Sequence, residues 1–383
     1  MKNNRLPLYV LFVLVAVALV WRVSNPPPKT MPGPVGPFNG WKSSRAIGEM
    51  GAQNVNPAGT LWAGAWNEKE TSKDTSDSAV RIVDFNAYSA KSCRLPDNIE
   101  VNFLNWVDDK TIRVCFTSSA PDKGLGMLLV DAVEAQVKGK PEYFPEIARV
   151  VYWPNATSTF IAQTTGEPES VAAFVVDGEK SCKMIGKPIP TGVSKQISLH
   201  KDAGISADGR WFMFSVSDPA AEGGRVYYLA NAEEGTAQKA FDLNDVPGRI
   251  DGIWPSETGV LLVCSVNQKL QAAIYDIATN KITARPNGVG DLDAWPAVPK
   301  SISITAYDGG FEFDTATGKS RAVLDFTKLN SESDKAIRDL IRDSHFYKLK
   351  SGNFITISET GGAIDIRELK PDGRWYRNVL PRI

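Results

Sequence analysis

The sequence SADGRWFMFSV (residues 206–216) joins a turn signal to a run of strand-forming residues. Asp-Gly is typical of a tight turn because glycine adopts positive φ freely, and the aromatic and β-branched residues after it favour a strand. The same succession occurs seven times, about fifty residues apart, with turn signals at residues 57–59, 108–109, 154–155, 207–209, 255–256, 296–297 and 351–352. A repeat of this length is typical of one four-stranded propeller blade.

The second β runs of the repeats also match one another. Each follows the first run after a short interruption, and most end at or near an acidic residue, as in AVRIVDF (79–85) and GMLLVDA (126–132). A tryptophan stands before four of the turns, at Trp106, Trp153, Trp254 and Trp295. Because these tryptophans keep the repeat register, we expect them to pack between blades rather than to stack on a ligand.

These observations predict an all-β fold, a seven-bladed β-propeller over residues 41–383, with six or eight blades as alternatives. A single repeat cannot bury both faces of its sheet, so the units must stack radially into a ring. We expect residues 41–47 to close the ring by completing the sheet that contains residues 374–380. A capping pattern and an apolar stripe predict a short helix at residues 331–343.

Two phrases of the repeat resemble known propeller families. Residues 205–212 (ISADGRWF) resemble the S-P-D-G-K turn of TolB-like propellers, although proline is absent from this turn, and residues 274–286 (IYDIATNKITARP) resemble the D-x-A-T-N-K-V phrase of YVTN-type propellers. The turn at residues 296–299 departs from the pattern. The resemblance implies the fold and leaves function open, because propellers host many unrelated functions.

The N-terminus reads as an export signal or membrane anchor. Lys2 and Arg5 precede an apolar run at residues 6–21, which Arg22 follows. With Val23 the run approaches the roughly 18 to 20 residues of a spanning helix, and the sequence after it suits a signal peptidase poorly. We therefore expect an uncleaved single-pass anchor at residues 1–25, a Pro-rich extended linker at 26–40, and the bulk of the chain in the periplasm or outside the cell.

Composition narrows the possible partners. The chain has 43 basic and 44 acidic residues, a net charge of -1, so no overall field favours nucleic acid. Four cysteines, Cys93, Cys115, Cys182 and Cys264, would lie in an oxidising compartment. No two of these cysteines form a C-x-x-C motif. The sequence does not decide whether any of them form a disulfide.

No residue pattern predicts a catalytic or metal site, and we name no catalytic residue, metal ligand or cofactor. His200 and His345 are isolated, no G-x-S-x-G motif is present, and TGKS at residues 317–320 lacks the earlier glycine of a phosphate loop. Asp242 with Asp245, and Asp291 with Asp293, lack the spacing of a calcium loop, so turn carboxylates are expected. Residues 155–157 (NAT) fit a glycosylation sequon, but at a predicted turn.

Two functional hypotheses follow. The first is a binding or scaffold module of the cell envelope, tethered to the membrane, whose partner is an envelope protein or a polymer. The alternative is a propeller enzyme of the lactonase-like or quinone-cofactor type. Its site would be assembled in the central channel from several blades and would leave no linear motif.

Overall fold

The computed structural model describes most of the chain beyond residue 45. The described residues are 46–47, 55–69, 76–87, 89–97, 99–118, 124–166, 169–177, 181–191, 202–221, 223–267, 269–293, 295–296, 298–306, 309–326, 345–360, 363–373 and 375–380. The predicted anchor at 1–25, the linker at 26–40 and the helix at 331–343 lie outside these ranges. Within them, no helix is both long and apolar enough to cross a membrane.

The described chain forms seven antiparallel sheets, and each sheet comes from one continuous stretch of sequence. The first four sheets, numbered as blades 1 to 4, contain these strands: β1 (Ala46–Ile47), β2 (Leu61–Lys69), β3 (Ser76–Asp84) and β4 (Ser89–Arg94); β5 (Ile99–Trp106), β6 (Thr111–Ser118), β7 (Leu125–Asp131) and β8 (Gln136–Phe144); β9 (Ile147–Tyr152), β10 (Thr159–Thr164), β11 (Ser170–Asp177) and β12 (Ser181–Pro190); β13 (Gly204–Ile205), β14 (Trp211–Ser217), β15 (Arg225–Asn231) and β16 (Thr236–Asp242).

The last three sheets complete a seven-bladed propeller. They are blade 5, β17 (Arg249–Pro255), β18 (Gly259–Val266), β19 (Lys269–Asp276) and β20 (Lys281–Arg285); blade 6, β21 (Ser301–Ala306), β22 (Gly309–Asp314) and β23 (Ser320–Asp325); and blade 7, β24 (His345–Lys348), β25 (Phe354–Thr360), β26 (Ala363–Leu369) and β27 (Trp375–Leu380). A short 3-10 helix, Leu243–Asp245, joins blades 4 and 5. The all-β class and the seven blades predicted from the repeat are confirmed.

The first strand of each four-stranded blade lies innermost and the fourth outermost. First strands of neighbouring blades contact one another, as β1 contacts β5 and β13 contacts β17. Fourth strands such as β8 and β20 are largely exposed, whereas second strands such as β10 and β18 are almost wholly buried. The second strands are buried on both faces because each blade is covered by a neighbour on either side.

Apolar clusters fill the spaces between neighbouring blades, and the alternation of strand residues divides each blade between two of them. In β10, Phe160 and Ala162 face blade 2, whereas Ile161 faces blade 4. The same alternation sends Phe212 and Phe214 of β14 toward blade 3 and Met213 toward blade 5. The ring is therefore held together by side chains that meet between sheets.

The predicted closure of the ring is wrong. Ala46 and Ile47 pair with Trp66 and Ala65 of β2, so this segment is the inner strand of blade 1. The four places in blade 7 are already taken by β24 to β27. Blades 1 and 7 instead meet through an apolar cluster of Val55, Trp62, Val83 and Phe85 with Leu349, Ile355, Ile357 and Ile366.

Blade 6 departs from the other six. Its described part has three strands, and residues 286–300 lie between β20 and β21, where an inner strand would be expected. This segment contacts the turn after β22, since the Val289 and Gly290 N–H groups donate to the Thr315 and Ala316 carbonyls at 3.2 and 2.8 Å. The irregular blade coincides with the turn at 296–299 that departs from the repeat pattern.

Candidate functional site

The four repeat tryptophans lie between blades, as the repeat register predicts. Trp106 and Trp153 are fully buried, and Trp295 is 9% exposed. Trp254 is partly buried and belongs to the same apolar cluster as Trp295, between blades 5 and 6. Large aromatic side chains in these places contribute interface area rather than a ligand platform.

A buried arginine occupies the interface between blades 2 and 3. Arg113 of β6 is 6% exposed, and its guanidinium carbon lies 4.0 Å from the ring centre of Trp153. The Trp153 ring stacks on Phe160 at 3.9 Å, and one guanidinium nitrogen donates to the Asn105 Oδ1 at 3.4 Å. Burial lowers the pKa of Arg113 to about 10. Cation–π attraction is strengthened where water is excluded, so this group is suited to holding two blades together.

The turns between first and second strands interlock across three blades. The Asn155 side chain, in the turn of blade 3, accepts from the Trp106 N–H of blade 2 at 2.9 Å and donates to the Val55 carbonyl of blade 1 at 3.1 Å. Asp109 of blade 2 accepts from the Ala58 N–H of blade 1 at 2.8 Å. Asn155, which the sequence placed in a turn signal and a sequon, is therefore also a contact between blades.

A second buried polar group lies in blade 4. Asp202, just before β13, forms an ion pair with Arg225 and accepts from the Tyr227 hydroxyl at 3.2 Å. Burial, followed by the Asp202 charge, raises the pKa of Tyr227 above its usual range. Tyr227 stacks on Phe241 with ring centres 4.8 Å apart, so the group fastens the start of β13 to β15.

The acidic residues that end the third strands cap the turns that follow them. Oδ1 of Asp84, Asp131, Asp276 and Asp314 accepts from backbone N–H groups two or three residues later. These hydrogen bonds are the main cause that lowers the pKa of Asp131, Asp276 and Asp314. In blade 4 the same place is held by Asn231, which makes equivalent bonds. Because an amide serves equally well, the recurring carboxylate is explained by turn geometry.

The paired aspartates considered as calcium ligands also serve local structure. The Asp245 carboxylate accepts from the Asp242 N–H at 2.8 Å, and Asp242 pairs with Lys239. Asp291 accepts from the Asp293 N–H at 2.9 Å. Across the described ranges, no three His, Cys, Asp or Glu side chains are grouped to hold a metal ion. The channel-enzyme alternative stays a hypothesis.

The four cysteines are unpaired, and His345 is the histidine that the structure describes. Cys93, Cys115, Cys182 and Cys264 are free thiols, and burial raises their pKa values to about 11 for Cys93 and about 12 for the others. Thiols in this state are poor nucleophiles at neutral pH. His345 begins β24, and His200 lies outside the described residues.

Charge is distributed unevenly over the ring. Each outermost strand carries at least one lysine or arginine: Lys91, Lys138, Lys183, Lys239, Lys281, Arg321 and Arg377. The turns after the third strands are capped by acidic residues in most blades. A net charge near zero therefore conceals a basic circumference beside acidic turns.

Sequence reasoning missed Arg113, the Asn155 contacts and the basic circumference. A charge in the middle of the apolar run TIRVCF could have marked Arg113 as a buried group. The lysines and arginines of the fourth strands were visible in the tails of the repeat, but only the blade topology places them on one surface.

The comparisons with known proteins bear on the fold of the chain and not on its function. No protein-family model matches the chain, and no curated protein matches it. Similar solved structures include a prolyl endopeptidase (12% identity, TM-score 0.31, 85% of this chain and 52% of that one), TolB from Acinetobacter baumannii (11%, 0.33, 82% and 78%) and the β-propeller domain of the Trilobed protease from Pyrococcus furiosus (10%, 0.38, 73% and 83%). The chain spans about half the length of the prolyl endopeptidase.

Proposed function

We propose that this chain is a membrane-tethered, extracytoplasmic β-propeller that binds another envelope protein or a polymer. The observation that carries the proposal is the display of basic side chains on the outermost strands of the ring. Arg113, Asn155 and Asp202 all bond to groups of their own chain. Exposed lysines of the outermost strands, such as Lys183 and Lys281, form no ion pair among the described residues and are available to a partner.

The N-terminal sequence supports the tethered part of the proposal. The positive start, the apolar run at residues 6–21 and the Pro-rich stretch that follows would place a rigid domain a short distance from a bilayer. A tethered domain samples a small volume, which raises the effective concentration of a partner in the same envelope.

The packing of the ring supports the binding part. Apolar clusters between neighbouring blades, including the cluster that joins blades 7 and 1, hold the sheets against one another. Surface groups on such a framework are preorganised, so a partner loses less free energy in ordering them.

The test is capture from native envelopes. The full chain carrying a C-terminal affinity tag is cross-linked in its own cells, purified from the membrane fraction and compared with an equally abundant tagged propeller of unrelated origin. We expect a partner at a fixed ratio to this chain alone, and we expect external protease to degrade the domain in cells with an opened outer envelope. A chain recovered in the cytosolic fraction, or one retaining no partner above the control, would contradict the proposal.

A further inference from the structure

Blade 6 has no inner strand among the residues that the structure describes. Asp314 ends β22 and caps the turn after it, as the third strands of other blades do, so β22 is the third strand of this blade. β21 pairs with β22 and therefore takes the place of a second strand. In the other six sheets a first strand pairs with the second strand on the side of the central channel. Within the described ranges, no strand pairs with this inner edge of β21.

The ladder between β21 and β22 shows which backbone groups lie on the inner edge. The Thr315 N–H donates to the Lys300 carbonyl at 3.2 Å, so the backbone of Lys300 faces β22. The pairing that follows has no register shift, and successive residues of an antiparallel strand direct their backbone groups to opposite sides. The N–H and carbonyl groups of Ser301, Ser303 and Thr305 therefore lie on the inner edge.

The inner edge of β21 carries none of the features that keep strand edges apart. The strand reads SISITA, without proline or charge, and its pairing with β22 is regular. Proteins commonly protect an edge with lysine, proline or a bulge. The outer edges of β8 and β12 are protected in this way, since each contains a Gly-Lys-Pro sequence at a register shift. The inner edge of blade 6 is thus suited to pairing with a further strand.

The neighbouring blades supply the walls of this place. Innermost strands of adjacent blades contact each other, as β13 contacts β17, and β24 of blade 7 contacts β21. A strand added to β21 would therefore lie between β17 and β24. Trp254 of β17 belongs to the apolar cluster that includes Ile302 of β21, and its side chain is only partly buried. Ser301 is exposed and Ser303 partly exposed, although a second strand such as β10 is buried throughout. An added strand would cover this surface.

We infer that the inner edge of blade 6 binds an extended peptide segment of a partner protein, which pairs antiparallel with β21 as an inner strand. Its N–H and carbonyl groups alternate at the spacing of a β-strand, which an extended peptide matches and a sugar polymer does not. The segment covers about the six residues of β21 and has no proline at the residues that pair. This inference goes beyond the proposed function, since it names a second surface and does not require the outer strands to bind.

The first experiment tests whether binding uses the backbone. The full chain, in mild detergent, is titrated into a labelled, end-capped peptide IARVVY, which copies the inner strand β9, and fluorescence polarisation is measured. Two control peptides carry N-methyl groups, one on the first, third and fifth residues and the other on the second, fourth and sixth. Because one alternate set of N–H groups faces β21, we expect one control to bind at least about tenfold more weakly and the other to stay within about threefold. Equal affinity of the two controls would overturn the inference.

The second experiment locates the peptide on the chain. Thr305→Pro removes an N–H of the inner edge and leaves the ladder to β22 whole. It should weaken binding of IARVVY about fivefold, because one backbone hydrogen bond is lost, whereas the matched variant Thr305→Ala should stay within about twofold of the parent. Circular dichroism confirms that both variants fold. Parental affinity in Thr305→Pro would overturn the inference, since the peptide would then bind elsewhere.

Hydrogen exchange resolved to single amides tests whether the place is open. The amides of Ser301 and Thr305 should exchange quickly in the chain alone and slowly with bound peptide, whereas the Ile302 amide, which faces β22, should exchange slowly in both. Slow exchange at all three amides without peptide would show that the chain itself fills the place, and would overturn the inference. A chain that captures its envelope partner but binds no peptide would remove this inference and leave the proposed function standing.

Discussion

The interface between blades 2 and 3 and the interface between blades 7 and 1 hold the same ring by different means. Between blades 2 and 3, an apolar cluster is supplemented by the Arg113–Trp153 stack and by Asn155, which bonds to Trp106. Between blades 7 and 1, the described residues form an apolar cluster in which Trp62 and Ile355 are fully buried. The first interface joins two blades that are consecutive in sequence, and the second joins the last blade to the first.

This difference follows from the separation of the blades along the chain. Only Pro145 and Glu146 separate β8 from β9, so blades 2 and 3 meet at little entropic cost and directional bonds can align. Blades 1 and 7 lie at opposite ends of the propeller sequence, so their contact closes a long loop. Apolar burial, which tolerates small misalignment and scales with area, is suited to offset that cost.

The largest effect is expected from Ile355→Ala in the closing cluster. Removing a fully buried isoleucine side chain should lower the free energy of unfolding by about 3 kcal/mol, measured by chemical denaturation. Hydrogen exchange should accelerate in β2 and β25, the strands that face each other across the closure. The matched control is Ile161→Ala, which is equally buried, lies between blades 3 and 4 and should accelerate exchange there instead. Unchanged exchange in blade 1 would show that the closing cluster does not hold the ring.

A smaller effect is expected at the buried arginine. Arg113→Ala removes the guanidinium and leaves a cavity beside Trp153, and should lower the free energy of unfolding by about 2 kcal/mol. Arg113→Met retains most of the volume without the charge, which costs free energy to bury, and should lower it by less than about 1 kcal/mol. Thermal and denaturant unfolding of both variants measure the difference. If the methionine variant is as unstable as the alanine variant, the charge rather than the packing holds the two blades.

The smallest effect is expected at the turn that links three blades. Asn155→Ala leaves the Trp106 N–H and the Val55 carbonyl without these partners, and should lower the free energy of unfolding by about 1 kcal/mol. Asn287→Ala, at an exposed turn asparagine, is the control and should change it by less than about 0.5 kcal/mol. Equal values for the two variants would mean that the interlocked turns contribute no stability.

Much of the fold could be predicted because each repeat is specified by short sequence signals, such as a turn followed by a strand. The turn at residues 207–209 and the strand after it appear as expected, with Gly209 at a φ of 74°. The acidic residue that ends most third strands could be seen as part of the repeat, and the structure gives its reason in turn capping by Asp84 and Asp131. Signals of this kind act within a few residues and are therefore readable without coordinates.

The features that could not be predicted depend on which blades meet. Ala46 and Ile47 pair with β2 and not with the last sheet, and no local signal in the sequence distinguishes these two partners. The partners of Asn155 lie one and two blades away. The seven-bladed β-propeller fold is confirmed by the structure, while the resemblances to TolB-like and YVTN-type propellers stay predictions.

The assignment of every sheet to one unbroken stretch of sequence has an evolutionary consequence. Since the described strands of blade 7 all come from the last stretch of the chain, duplication or loss of one complete unit would leave the other described hydrogen-bonded ladders whole. Only the two blade faces newly brought into contact would need to change, and apolar surfaces become complementary with few substitutions. A propeller built in this way can gain or lose one blade in a single genetic event.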